Sequence, residues 1–180
     1  MLTHFRLAAI AAAALGAVWA GQAFADWPFT QIARVDPGYG GVCEECDLSG
    51  RILVGARMTN SVFSRSDFSG AVMTRADASR SNFEGADFTA ADLTHAKLVG
   101  AHCPRARFDH ATLTQADARG ADFTRANFGR ADLARMNLDR ANLSGADLRH
   151  AHGLTQTQLD AACGDRATRL PRGLRVGSCR

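Results

Sequence analysis

From Cys46 to His150 the chain repeats one five-residue pattern of small, polar, large apolar, polar, polar, 21 times in succession without an insertion. The large apolar position, called i, runs Leu48, Leu53, Met58, Phe63, Phe68 and onward in steps of five to Leu148. Position i−2 is Ala in 15 of the 21 units. An α-helix turns about 100° per residue, so this period advances about 140° per unit and makes no continuous apolar stripe. A plain strand needs strict alternation, which an odd period cannot hold. Within one unit, i−2 and i point one way and i−1 the other, and i+1 and i+2 are left to turn a corner. The pattern therefore predicts very short strands joined by bends, wound about a common axis with i−2 and i inside. One unit cannot bury its apolar side alone, whereas stacked coils can.

Ala121-Asp122-Phe123-Thr124-Arg125, Ala126-Asn127-Phe128 and Ala141-Asn142-Leu143 match the motif A-(D/N)-(L/F)-x-x outright. In these residues the chain resembles the pentapeptide-repeat family over about 105 residues. The resemblance implies an all-β fold, a right-handed quadrilateral β-helix with four pentapeptides per coil. Residues 20 apart should then stack. Face one would carry Leu48, Phe68, Phe88, Phe108, Phe128 and Leu148, and face four Phe63, Phe83, Cys103, Phe123 and Leu143. Face two would hold Leu53, Met73, Leu93, Leu113 and Leu133, and face three Met58, Ala78, Leu98, Ala118 and Leu138. The aromatic residues thus fall on two of four faces. About five coils at a spacing of roughly 4.8 Å give a rod of roughly 25 Å.

The flanks divide the chain further. Residues 1–25 read as a signal peptide: Arg6, an apolar stretch from Leu7 to Ala20, and Ala23-Phe24-Ala25 before Asp26. The apolar stretch of 14 residues is short for a span of about 20. Cleavage between Ala25 and Asp26 would deliver a periplasmic or secreted protein. Residues 26–45 form an N-terminal cap segment, in which Trp27, Phe29 and Ile32 are expected to cover the mouth of the tube. Residues 46–150 are the β-helix and residues 151–180 a C-terminal cap. Thr155 and Gln158 make a capping box, and Leu154 and Leu159 a hydrophobic staple. With Gly164 at C′, a short helix is expected over 156–163.

An exported chain meets an oxidising compartment. Cys43 and Cys46 are read first as a structural disulfide, with a redox pair, a metal half-site and free thiols as the competing readings. The two glutamates between them would raise thiol pKa and dull reactivity. On the rod that the resemblance implies, the two ends lie too far apart for a disulfide, which needs Cα atoms within about 7 Å. The expected pairs are therefore Cys43–Cys46 and Cys163–Cys179, with Cys103 a buried free thiol.

Candidate chemistry is sparse. Position i−1 is Asp or Asn in 13 of 21 units, which suits local backbone hydrogen bonds at turns. Every repeat Asp lies outside, so no recessed carboxylate pair arises. No triad, phosphate loop, cofactor site or metal site emerges; His110 and His150 would sit two coils apart, roughly 10 Å. The chain reads as non-enzymatic. Arginine is prominent at i+2, and the candidate interaction surface comprises Arg105, Arg125, Arg130, Arg135 and Arg140, with Arg166, Arg169, Arg172 and Arg175 beyond the repeat. Residues 26–50 sum to −4 and residues 149–180 to +4, so head-to-tail association and binding of the basic end to an anionic envelope polymer or lipid both enter. The resemblance adds pairing through terminal helices, hence a homodimer, and a DNA-mimicking protector of type II topoisomerases. That last role needs an acidic surface and a cytoplasmic address. Without residues 1–25 the formal charge is +2, with 20 basic and 18 acidic groups, which together with the export signal argues against that role, and no nucleic-acid partner is expected. The leading expectation is a rigid scaffold or protein–protein interaction module with an unidentified envelope protein as partner.

Overall fold

The structure, a computed structural model, describes residues 41–179. The expected signal peptide and the capping role of Trp27, Phe29 and Ile32 lie outside the described residues.

Each i−1 residue makes a parallel β-bridge to the residue 20 positions on, from Val42–Val62 and Asp47–Asp67 through to Asp132–His152. The bridges fall on four faces in turn, so a coil is four pentapeptides and the section is square. The N–H of i donates to the next coil, as in Phe68 to Asp87 O at 2.7 Å, and the N–H of i−1 to the previous one, as in Asp67 to Cys46 O at 2.8 Å. The ladder starts at Val42, one unit before Cys46, and on face four it continues through Asn142–Cys163 to Gly177. That face is eight layers tall, about 34 Å at the usual strand spacing. The rod is thus longer than five coils.

Inside, the i and i−2 side chains fill the tube. Phe68, Phe88, Phe108 and Phe128 stack on face one at centroid separations of 4.9, 5.0 and 5.0 Å. Phe63 and Phe83 stack on face four at 5.5 Å, and the two columns meet edge to face, as in Phe83–Phe88 at 5.2 Å. Buried Cys103 interrupts the second column between Phe83 and Phe123. Arg51 at i−2 is exposed in the first coil, and Met136 at i−2 is buried.

The corners are built two ways. The N–H of an i−2 residue usually closes the turn onto the carbonyl three residues back, as in Ala101 to Leu98 O at 3.0 Å. The residue at i+2 then takes a left-handed φ, +61° at Gly50 and +59° at Arg105, as a turn with φ > 0 at its third residue requires. Where the residue one coil on is Ser rather than Ala, its hydroxyl enters the turn. Ser66 Oγ accepts from Cys46 N–H at 3.1 Å and donates to Cys43 O at 2.6 Å. Ser81 Oγ accepts from Ser61 N–H at 3.1 Å and donates to Met58 O. The buried hydroxyls are thereby satisfied. Ser81→Ala is expected to let the turn close directly, as it does wherever Ala lies above, and to change stability by less than about 1 kcal/mol in a chemical melt. Left-handed φ at a non-glycine corner costs energy. Ala90, at φ +57°, carries no functional side chain. Ala90→Gly is expected to stabilise by about 0.5–1 kcal/mol, the strain relieved less the entropy glycine adds to the unfolded chain.

At the far end the helix α1, Gln156–Asp160, has the expected capping box and buries Leu159. It stops three residues short of the expected 163, and its C-cap is Ala161. The reason is that Arg140 N–H donates to Ala161 O at 2.7 Å and Leu143 N–H to Cys163 O at 2.7 Å. Those carbonyls are claimed by the coil beneath, so the chain must leave the helix and rejoin the ladder. Gly164 accordingly lies in strand β1, Cys163–Gly164, which pairs in parallel with β2, Gly177–Ser178. A side chain at Gly164 would meet Thr168 Oγ1 and Val176 Cγ1 at 2.8 Å. Gln158 joins helix and rod: its amide N–H groups donate to Leu133 O and Met136 O, both at 2.9 Å. No helix among the described residues is long and apolar enough to cross a membrane.

Candidate functional site

The outer wall is held by the i−1 residues. All 13 Asp and Asn side chains at i−1 accept a hydrogen bond from the backbone N–H two residues on, as Asp122 does from Thr124 at 2.9 Å. This bond occupies the one N–H of the unit that neither the ladder nor the turn uses. His102 cannot supply it, and the residue two on is Pro104, which has no N–H.

Several carboxylates are pulled below their ordinary pKa. Arg119 and Arg149 donate side-chain hydrogen bonds to Asp117 and Asp147 and hold them low. The Ser49 hydroxyl does the same for Asp47, and the Gly145 N–H, first among four donors, for Asp165. A carboxylate lowered in the folded state stabilises it above the unfolded pKa and loses that stabilisation as pH falls through the folded value. Tm by circular dichroism is therefore expected to be flat from about pH 8 to 5 and to fall steadily below about pH 4.

The predicted arginines lie on corners and at the C-terminal end, all exposed. Arg105 is neutralised by Glu84, Nη1 to Oε1 at 3.0 Å. Arg125, Arg130, Arg135 and Arg140 occupy the four successive corners of a single coil. None of the four forms an ion pair among the described residues. Their neighbours along the corner columns are not acidic: Arg130 lies between His110 and His150, and Arg135 and Arg140 follow Gln115 and Gly120. Arg130 differs locally, since Gly129 takes φ +20° and Asp109 Oδ1 accepts the Arg130 N–H at 3.3 Å. Beyond this ring, Arg169 stacks above Asp147 with Nη1 3.9 Å from its carboxylate, and the Arg175 backbone exchanges hydrogen bonds with the Gln156 amide at 2.9 and 3.1 Å. Arg166 and Arg172 are exposed on the same terminal segment.

Two disulfides close the ends. Cys43–Cys46 spans the first described turn with Cα atoms 5.6 Å apart, and Cys163–Cys179 ties β1 to the terminal segment at 4.8 Å. Burial pushes the Cys103 thiol well above its ordinary value. No cluster of potential metal ligands occurs among the described residues. On face three a shallow groove is lined by Asn60, Asp77, Arg80 and Lys97, with Lys97 Nζ 3.9 Å from Asp77 Oδ2.

One surface feature escaped the sequence reading. Ile52 and Val54 are 42% and 48% exposed on face two, with Val72 paired beside Ile52 in the ladder. Gly50, Gly55 and Gly70 leave three of the flanking corners bare, while exposed Arg51 and Arg75 stand at the edge of the patch. The signal was present: Ile52 and Val72 stand at i−1, where 13 other units carry Asp or Asn.

Among curated protein sequences, none matches this chain. Several solved structures are similar to it, three of which illustrate the range. Rfr23, a pentapeptide repeat protein from the cyanobacterium Cyanothece 51142, is 23% identical, with a TM-score of 0.47 over 72% of this chain and 90% of that one. A pentapeptide repeat protein from the Arabidopsis thaliana thylakoid lumen is 28% identical, with a TM-score of 0.43 over 69% of this chain and 81% of that one. Full-length QnrB1, a plasmid-mediated fluoroquinolone resistance protein, is 15% identical, with a TM-score of 0.26 over 73% and 89%. The profile of pentapeptide repeats matches in 8 copies spread over residues 43–77, 52–89, 86–125, 119–152 and 126–162. With a right-handed quadrilateral β-helix as its fold and a five-residue register unbroken through 21 units, this chain belongs to the pentapeptide-repeat family.

Proposed function

We propose that the protein is an exported, non-enzymatic scaffold that holds a partner protein against its rigid wall, in the periplasm or outside the cell. The observation that carries this reading is the apolar stretch on face two, exposed Ile52 and Val54 beside half-buried Val72. Exposed apolar side chains on a glycine-edged face suit contact with another protein surface. The regular turn bonds keep that face in shape before a partner arrives, which lowers the ordering cost of binding.

The test is capture of envelope proteins on the disulfide-bonded protein, washed at low and high salt and read by mass spectrometry. A protein retained by the wild type at high salt and lost by Val54→Lys supports the scaffold. A catch that Val54→Lys leaves unchanged, or an empty column, sinks it. The formal charge of +2 without the leader keeps the nucleic-acid-mimic role out of this proposal.

A second reading rests on a different observation, the uncompensated arginines of the C-terminal coils. They support binding to an anionic envelope polymer or lipid through that end.

A further inference from the structure

Residues 123–179 contain nine Arg against five Asp. Residues 41–50 contain three acidic residues and no basic one. The rod is therefore electrically polar along its axis. Around its axis it is nearly symmetric, because Arg125, Arg130, Arg135 and Arg140 put one guanidinium at each corner of one coil. These two properties select different partners. A linear polyanion is best served by charges lined up along one face. A plane perpendicular to the axis is best served by charge gathered at one end with no preferred side.

We propose that the protein docks end-on, C-terminal end first, onto an anionic lipid surface. This rests on the second reading above and narrows it to a partner and a contact. Arg166, Arg172 and Arg175 are exposed on the terminal segment that the Cys163–Cys179 disulfide pins to the last strand pair. Gln156 fixes the backbone at Arg175, so this end is held in shape. The ring of four lies two ladder layers beneath, next to Asn142, roughly 10 Å from the edge. That is about one Debye length at physiological salt, so the ring still feels a charged surface that the cap touches. The three acidic side chains of residues 41–50, Glu44, Glu45 and Asp47, of which Glu45 pairs with Arg65 at 2.9 Å, lie toward the other end and face away from that surface.

The experiment is flotation of the disulfide-bonded protein with phosphatidylcholine vesicles doped with phosphatidylglycerol, with undoped vesicles as the blank. Three triple variants carry the same loss of charge. The first is Arg166→Gln, Arg172→Gln and Arg175→Gln at the cap. The second is Arg125→Gly, Arg135→Gly and Arg140→Gly in the ring, using the residue that the same corner columns already carry at Gly145, Gly55 and Gly120. The third, a control nearer the other end, is Arg57→Gln, Arg75→Gly and Arg80→Gly. The expected result is binding to doped vesicles only, a loss of about 100-fold for the cap triple and about tenfold for the ring triple, and less than about threefold for the control. Thermal melts of all three confirm that they are folded before the comparison is read. Equal losses in the cap and control triples would mean that net charge alone acts, and would overturn the proposal. A protein that ignores vesicles but binds dextran sulfate overturns the lipid assignment and leaves the polymer form of the second reading standing. Indifference to both removes the two together.

Discussion

Phe88→Ala is expected to destabilise the protein by about 3–5 kcal/mol, the range for removing a large buried aromatic side chain. Phe88 is fully buried in the middle of the face-one column. It stacks on Phe68 at 4.9 Å and on Phe108 at 5.0 Å, and meets Phe83 edge to face at 5.2 Å. The alanine would leave a cavity that the structure cannot easily collapse. The backbone on both sides is locked, with Phe88 N–H to Arg107 O at 2.7 Å and Asp87 N–H to Ser66 O at 3.0 Å. For a chain of this size the loss corresponds to roughly 6–20 °C in Tm. In a quasi-one-dimensional stack the interface above and the one below would both weaken, so the melt should also broaden. A shift under about 3 °C would show that neighbouring rings close the gap, and that the stacked column is not the main source of stability.

The second large effect is loss of the terminal disulfide. Cys163 and Cys179 are 16 residues apart in sequence, and a loop of this size stabilises by about 3 kcal/mol through the unfolded chain. In the folded state the bond holds β2 on β1, a pair of only two residues each. The double variant Cys163→Ser, Cys179→Ser is expected to lower stability by about 3 kcal/mol and to raise amide exchange first at residues 163–179. Protection at Leu93 or Leu113, in the middle of the tube, should drop only as far as global stability drops. Equal loss of protection throughout would show that the last coil does not open on its own.

Much of the fold was legible because a five-residue period excludes a plain helix or strand, and the resemblance to the pentapeptide repeat supplied the count of four units per coil. The stacking of Phe68 on Phe88 and the sorting of aromatic residues onto two faces follow from a 20-residue coil alone. So does the outward placement of Asp and Asn, whose side-chain lengths suit the N–H two residues on. Other features depend on relations that a single unit does not display. Ser61, Ser66 and Ser81 look like small substitutes for Ala, yet Ser66 and Ser81 reshape the turn one coil earlier, and the cause lies 20 residues from the effect. The C-terminal segment was legible as a helix start and no further. Thr155 and Gln158 announce the cap, but the stop at Asp160 is imposed by donors on Arg140 and Leu143. The arginine ring was visible as composition. Its arrangement on four corners needed each i+2 residue to be assigned to a corner, and its lack of partners needed the ion pairs of the rest of the wall.

The square section turns position in the sequence into position in space. A step of five residues moves an outward side chain a quarter-turn about the axis, and a step of 20 lifts it by one strand spacing, roughly 4.8 Å. Because the packing inside involves only i and i−2, the other three residues of each unit can change without disturbing it. A charge or an apolar group can thus be written at any chosen height and bearing, as on a drum whose pins are set one at a time. The wall of this protein carries two such inscriptions, an apolar patch low on one side and a ring of cations high on all four, and neither constrains the other.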